Sequence, residues 1–547
     1  MKSGSMRTAT FLLSAVATAS LVGSCNDPRP ESPAAVARPP RITPDYTGIV
    51  IPPNIAPLNF TIDEPGDRYM ATIRAASGGQ IEVVSRTGEI LIPENEWKAL
   101  LRANAGKEVH IDVCVQADDG KWSRYETVTN TIAPQAIDSH LVYRFMMPSS
   151  YFPKRMRICQ RNLENFDEET LLDTRDYGDG CANCHSFVGN SPNQMLLGIR
   201  STSFPSATIY VHPEKGKSGL AGSDLWPVTR DPGHGSRAAD HDSMCRIDKI
   251  GAKFGYTAWH PSGKLAVYSI NDVRQFFHTT QAEIHDVVDL DSIIVYYDLQ
   301  KNETRTAPAL SDKQRLETYP AWSPDGKSLY FCSAPLLWTD MQTVPPKRYA
   351  EVKYDLMRIG YDVETDTWGT LETVLSAAQT GLSILLPRVS PDGRFLLFCM
   401  SLYGCFPVYQ PTSDLYVMDL HTGEYCKASV NSEYAESWHS WSSNSRWIVF
   451  NSKRQGGLFT RPFISYFDAK GQMHKPFVLP QRHPSFYESC YNVYSIPELI
   501  TEPVTVRSKA LVEAIVSPAQ ISVNSVTGAT PTTTSREAYK QGQSSVQ

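Results

Sequence analysis

The apolar positions of this chain come in short runs, each launched from a polar turn, and the same phrase returns along the second half. It reads "AWHPSGKLAVYSI" at 258–270, "AWSPDGKSLYFCS" at 321–333, "RVSPDGRFLLFCM" at 388–400 and "SWSSNSRWIVFNS" at 440–452. Proline sets φ at the turn entry, glycine takes the positive φ that reverses the chain, and the run that follows is apolar on both faces. Such a run predicts a strand packed between neighbouring sheets. A second strand signal, ending in Asp and a polar turn, follows each first one: "SIIVYYDLQKNET", "YDLMRIGYDVETD", "SDLYVMDLHTGE" and "PFISYFDAKGQ". Two paired signals in roughly 50–65 residues predict four-stranded blades with loop insertions. No run keeps a 3.6-residue period for long, which excludes a helical solenoid.

The unit extends toward the N-terminus. "SPNQMLLGIR" at 191–200 and "SATIYVHPEKGK" from Ser206 match the two halves of a blade, and "HLVYRFMMPSS" with "RMRICQRNLEN" reads as an earlier strand pair. The expectation is an all-β chain: a β-propeller of about six blades over 138–500, with "CYNVYSIPELI" as the candidate closing strand. Ahead of it, 57–137 carries short alternating strands and one helical stretch, "PENEWKALLRAN", predicting a β-sandwich of immunoglobulin or fibronectin type. The polar, low-complexity end, 501–547, reads as a disordered tail.

The first 56 residues read differently. Lys2 and Arg7 precede an apolar run and then small residues, so 1–25 predicts an export signal too short to span a bilayer. Leu21-Val22-Gly23-Ser24-Cys25 is similar to a bacterial lipobox, which implies a lipidated Cys25. Residues 26–56 are Pro-rich and predict a tether that buries almost nothing. The chain is expected in the cell envelope, acyl-anchored on the periplasmic side or at the surface.

Composition narrows the function. A net charge of −6 argues against a nucleic-acid partner or a polybasic membrane surface, and 26 Tyr with 10 Trp suit many short strands. Several of the cysteines outside the motif below sit inside apolar runs, where a thiol acts as a small hydrophobe.

One motif carries chemistry. Cys181-Ala182-Asn183-Cys184-His185 has the C-x-x-C-H spacing of c-type haem attachment. Two thiols add across the porphyrin vinyls, and the adjacent imidazole, His185, reaches the iron. A zinc site would want a second nearby Cys/His pair, which is not evident, and a thioredoxin-like pair would open a helix after a strand. The sixth iron position is open in the sequence. Met195, ten residues on, offers a thioether, and His439 aligns with His185 in the repeat, although a turn-and-strand histidine is more often hydrogen-bonded structure. His234, His241, Met244, His260, Met146 and Met147 are further side chains that spacing does not rank. "HTTQAEIHD" at 278–286 reads as solvated loop charge before a metal site, and 286–291 as a loop between strands. Asp173, Asp176 and Asp179 recur every third residue, unlike an EF-hand loop. No nucleophile elbow, zincin motif or phosphate loop occurs.

The "W-S-P-D-G-K/R" turns resemble those of TolB-type β-propellers, over about 258–480, and the combination with a lipobox and haem motif is similar to uncharacterised lipoproteins of the Bacteroidetes type. The resemblance implies architecture and is nearly silent on chemistry. The resulting expectation is an exported c-type cytochrome-like propeller with one covalent haem c, passing electrons to an envelope partner. The alternative is a binding or scaffold propeller whose haem is structural or sensory.

Overall fold

A computed structural model describes residues 30, 32–148, 155–178, 180–200, 207–211, 244–248, 254–279, 281, 283–338, 345–516, 521–522 and 525–527. The expected leader with Cys25, together with Asp179, His234, His241 and the last twenty residues, lies outside them, as do the side chains of Cys184 and Met244.

The N-terminal unit holds two sheets. The larger is built on Arg68–Ala75, Ile81–Ser85, Glu108–Gln116 and Val128–Ile132; the smaller joins Ile42–Thr43, Phe60–Ile62 and Glu89–Ile90. Alternating burial along Arg68–Ala75 matches the alternation of its sequence. One helix, Glu94–Ala103, buries Trp97, Leu100 and Leu101, and the Trp97 indole donates to the carbonyl of Ile55 at 3.0 Å.

That last contact corrects the tether expected over 26–56. Ile42, Tyr46, Ile49, Ile51 and Ile55 are all buried, and Val50–Ile51 pairs in parallel with Val128–Ile132. Proline-rich composition signalled a chain without regular structure, yet the isolated apolar residues between the prolines supply the burial, and proline is tolerated beside such short edge pairings.

Six antiparallel sheets follow in chain order. Each of the last four takes its strands consecutively, as in Arg315–Trp322, Ser328–Pro335, Asp355–Asp362 and Thr367–Leu375. The second runs Cys181–Val188, Ser191–Arg200, Ala207–Val211, Met244–Asp248. The first is assembled from both ends of the body: His140–Met146, Arg157–Asn162 and Glu168–Asp173 are joined by Val493–Ile500, which pairs antiparallel with His140–Met146. The inner strands lie side by side in the order Val493–Ile500, Cys181–Val188, Phe254–Trp259, Arg315–Trp322, Ser383–Val389, Glu436–Trp441, and the last neighbours the first. The body is all-β and propeller-like.

The repeated turns do what their residues predict. In the fifth sheet Ser390 donates its hydroxyl to Asp392 at 2.6 Å and accepts from the backbone N–H of Phe395 at 2.9 Å, while Gly393 sits at φ 76°. The strand that follows, Phe395–Ser401, is buried at every position. The sixth sheet's turn also seats the N-terminal unit: the Asp138 carboxylate accepts from the Ser443 N–H at 2.8 Å and hydroxyl at 2.6 Å, and the Trp447 indole donates to the carbonyl of Gln135.

The expected disordered tail is also corrected. Ser508–Val516 is a helix whose Ala510, Leu511, Ala514 and Ile515 are buried against Ile158, Leu172 and Ile199 of the first two sheets. The three-and-four spacing of those apolar residues was masked by the polar run after it. Ile521–Ser522 and Ser525–Thr527 then pair with the outer strands of the second and third sheets.

Leu511 is completely buried, so Leu511→Ala should cost about 2–5 kcal/mol through lost burial and the cavity left behind. Urea unfolding checks this. A change below about 0.5 kcal/mol, the size of an ordinary surface substitution, would show that the helix is not docked.

Candidate functional site: a bulged channel around His185

Each inner strand breaks register, and Cys181–Val188 does so a second time between Phe187 and Val188. The shifts fall between Asn183 and Ser186, Phe254 and Thr257, Thr318 and Ala321, Leu385 and Arg388, and Ser437 and Ser440, and Val493–Ile500 breaks opposite Val142 and Arg144. One extra residue per strand interrupts the two-residue alternation and re-aims its neighbours. Tyr319, Leu386, Trp438 and Ile496 adopt positive φ there, between 46° and 55°, a conformation uncommon for such residues. They line, with His185 and Tyr256, a narrow pocket of about 30 Å³ among the six inner strands.

The haem-type motif lies along one of these strands. Cys181 opens it, partly buried, its Sγ 3.9 Å from the Sδ of Met156. Cys184 and His185 are the two bulge residues, so the motif sits where the fold turns side chains toward its centre. His185 is 2% exposed and neither ring nitrogen has a hydrogen-bond partner. Its pKa is lowered to about 3, first by burial and then by the charge of Arg144; backbone groups of Val142 and Ile496 oppose this without closing hydrogen bonds of normal geometry. The imidazole is therefore neutral.

The two side chains expected opposite it are committed elsewhere. His439 does occupy the equivalent bulge position in the sixth sheet, as the repeat alignment implied. Its Nε2 bonds the carbonyl of Leu397 at 3.1 Å and its Nδ1 lies 3.7 Å from the Cys399 Sγ. Met195 is packed in the core between the first two sheets, across the ladder from Phe187. Neither lines the cavity. His260 braces a turn, its Nε2 3.0 Å from the Gly326 carbonyl.

Three charged residues escaped the sequence reading: Arg144, Arg388 and Glu498. Arg388 lines the cavity and lies 3.5 Å from Glu498, whose pKa burial raises to about 7 against the pull of Arg388. Arg144 donates to the Ser495 hydroxyl at 3.0 Å. The available signal was a charge inside an otherwise apolar strand, as in "HLVYRFMM" and "YSIPELI".

The third sheet overturns two further readings. Residues 286–291 are strand: Leu265–Phe277 and His285–Asp298 form one long hairpin. The charges near its tip are buried rather than solvated. Asp286, 1% exposed, accepts from the Tyr403 hydroxyl at 2.8 Å, the Gln410 amide at 3.0 Å and the Val287 N–H at 2.7 Å, with His278 Nε2 at 3.1 Å. Glu283 pairs with Lys453, and His285 stacks on Tyr409. These contacts fasten the hairpin and leave Asp286 no free acceptor for a metal. Asp173 is likewise occupied, accepting from the backbone and guanidinium of Arg175. Among the described residues no group of three or more His, Cys, Asp or Glu is arranged to hold a metal ion.

No family model and no curated protein matches the chain. Solved structures similar to it include a nidogen/laminin complex (8% identity, 66% of this chain and 99% of that one, TM-score 0.36). An ACO/RPE65 chimera follows at 10%, 81% and 97%, with TM-score 0.33. The Swd1 β-propeller domain of Myceliophteria thermophila has 11%, 63% and 87%, with TM-score 0.30. Likenesses this distant assign no function.

Burial of His439 ties stability to pH. Its folded pKa is lowered to about 3 from 6.5, so the native state refuses a proton that the unfolded chain takes up. The contribution is complete above pH 6.5 and is lost as pH falls toward 3, by about 1.4 kcal/mol per unit. His439→Gln should flatten the acid limb of the stability profile between pH 6 and 4 by about that slope. Parallel profiles for the two proteins would contradict the buried neutral imidazole.

Proposed function

We propose that this chain is an envelope c-type cytochrome-like protein, with one haem joined through Cys181 and Cys184 and held at iron by His185. The observation that carries the reading is the orphaned His185 imidazole. A buried ring nitrogen without a partner costs about 1–3 kcal/mol, and here it adjoins the two cysteines that attachment requires. The chain's residues fit the group on that ground: a neutral imidazole without a hydrogen-bond partner, on a bulge shared with Cys184, and a partly buried thiol, Cys181, at the strand's start.

A bound haem c supplies a one-electron iron couple. The chain's own contribution is to fix His185 between packed inner strands, to keep it unprotonated by burial, and to enclose it with aromatic side chains that limit water. Tyr256 and Tyr319 pack at a tilt with centroids 4.0 Å apart, and Trp438 lies 5.8 Å from Tyr256. A rigid support of this kind suits electron transfer, because little of the surroundings has to move when charge changes. Met195 and His439 do not line the pocket beside His185, so neither would serve as a second iron ligand without a side-chain rearrangement.

The same reading takes the six sheets as a closed, six-bladed ring of TolB type, fastened by Val493–Ile500, and the N-terminal unit as an immunoglobulin-like sandwich. Export and a lipid anchor at Cys25 place the chain beside an envelope redox partner. A binding or scaffold role is the second reading. It is favoured by Phe277 and Ile284, 43% and 48% exposed near the tip of the long hairpin, where large apolar side chains suit partner contact.

Expression with a c-type maturation system tests the proposal. Wild type should keep haem stain through denaturing electrophoresis, and Cys181→Ala/Cys184→Ala should lose it while retaining its β circular dichroism. His185→Ala should keep the stain but shift the ferric spectrum, with free imidazole restoring it. Stain that persists in the double variant, or a His185→Ala spectrum identical to wild type, would refute the assignment.

A further inference from the structure

A separate, smaller cavity of about 10 Å³ lies where the third, fourth and fifth sheets meet. Asp289 enters it from the long hairpin. Trp338, Tyr349 and Tyr354 come from between the second and third strands of the fourth sheet, and Tyr403 and Cys405 from just after Phe395–Ser401. Neighbouring polar groups are already engaged. The Tyr403 hydroxyl donates to Asp286 at 2.8 Å, the Trp338 indole to the carbonyl of Leu290 at 3.2 Å, and the Cys405 thiol to the carbonyl of Val287 at 3.5 Å. The Asp289 Oδ1 and the Tyr354 hydroxyl, by contrast, are buried without a hydrogen-bond partner. Asp289 is 2% exposed and Tyr354 0%.

Both groups are held in place. The other Asp289 oxygen accepts from the Asn271 amide at 2.6 Å, and that amide also reaches the Thr318 hydroxyl at 3.2 Å. The Tyr354 N–H donates to the Ser383 hydroxyl at 3.1 Å, and its carbonyl accepts from the Ile384 N–H at 2.9 Å. Two acceptor oxygens therefore face one small space and have nowhere else to turn. Burial pushes the Asp289 pKa up to about 8, and the charges acting most on it are two further carboxylates, Asp291 and Asp272; Asp272 is paired with Arg274 at 2.9 Å. Asp289 forms no ion pair with a described residue, and a buried carboxylate without a counter-ion is costly.

Size and charge select the occupant. About 10–15 Å³ is the least space one water-sized particle needs, so an organic ammonium ion is too large. Divalent cations draw on several carboxylates, whereas Asp289 is the one carboxyl in this wall. The remaining walls are largely aromatic, and aromatic rings attract a cation.

We propose that the cavity between Asp289 and Tyr354 binds one water-sized monovalent cation, potassium or ammonium, which clips the long hairpin to the fourth and fifth sheets. A water molecule fits the same space but brings no charge, and that is the difference a test can read. The site is independent of His185 and of any haem there.

Thermal unfolding of the full chain at about pH 8, where Asp289 can release its proton to a competing cation, supplies the first readout. Potassium or ammonium chloride replaces tetramethylammonium chloride at constant ionic strength. Tm should climb by about 1–2 °C for each tenfold increase of the bound ion above its dissociation constant, and the steeper of the two responses names the ion. Asp289→Asn, which keeps the shape and removes the charge, should abolish the response, and Tyr354→Phe should weaken it. Thallium(I), a heavy stand-in for potassium, supplies the second readout: soaked into crystals as its nitrate, it should give an anomalous peak against the Asp289 and Tyr354 oxygens. Absence of that peak, a Tm indifferent to the cation, or a response undiminished in Asp289→Asn each overturns the proposal; if that variant does not fold, the first two still decide.

Discussion

The structure depends on a single defect repeated along six neighbouring inner strands. A regular strand sends alternate side chains to opposite faces, so inner strands of unbroken ladder could not all turn consecutive residues into one axis. One extra residue in each strand lifts that constraint. Tyr319, Leu386, Trp438 and Ile496 accept positive φ to make it, a strain of order 1 kcal/mol or more each that the packed neighbours must offset. The cavity exists because of those bulges, and His185 reaches it because it belongs to one.

Two histidines at the same bulge position then meet different fates. His439 finds the Leu397 carbonyl and the Cys399 thiol of the fifth sheet. His185 has the backbone groups of Val142 and Ile496 beside it, without a hydrogen bond of normal geometry at either ring nitrogen. The first sheet, assembled from both ends of the body, also brings Arg144 and Glu498 toward the same place, from sequence positions more than 350 residues apart (144 and 498).

How much of this was legible follows from range. The Pro-Asp-Gly turns and the doubly apolar strands are local signals, and the six sheets, the pairing of His140–Met146 with Arg157–Asn162 and the joining strand near Val493 followed from them. The motif at Cys181 was equally plain. What stayed hidden was set by contacts between distant segments. Tyr46 and Ile49 look like linker until the sheet they cover is present, and Leu511 looks like the start of a tail until the first two sheets offer a groove. The long hairpin from Leu265 to Asp298 carried charges that suggested a loop, because nothing near them in sequence announced Tyr403, Gln410 and Lys453 as partners. Bulges at Tyr, Leu and Trp leave no glycine to mark them.

The proposed function stands on two thioether bonds that would join Cys181 and Cys184 to a porphyrin beside His185. Intact-mass spectrometry of the mature protein, purified under denaturing conditions from cells that make c-type cytochromes, reads those bonds directly. The account predicts a polypeptide heavier by one haem, with Cys181 and Cys184 closed to alkylation. A polypeptide mass without the haem increment, and both thiols open to alkylating reagent, would contradict it.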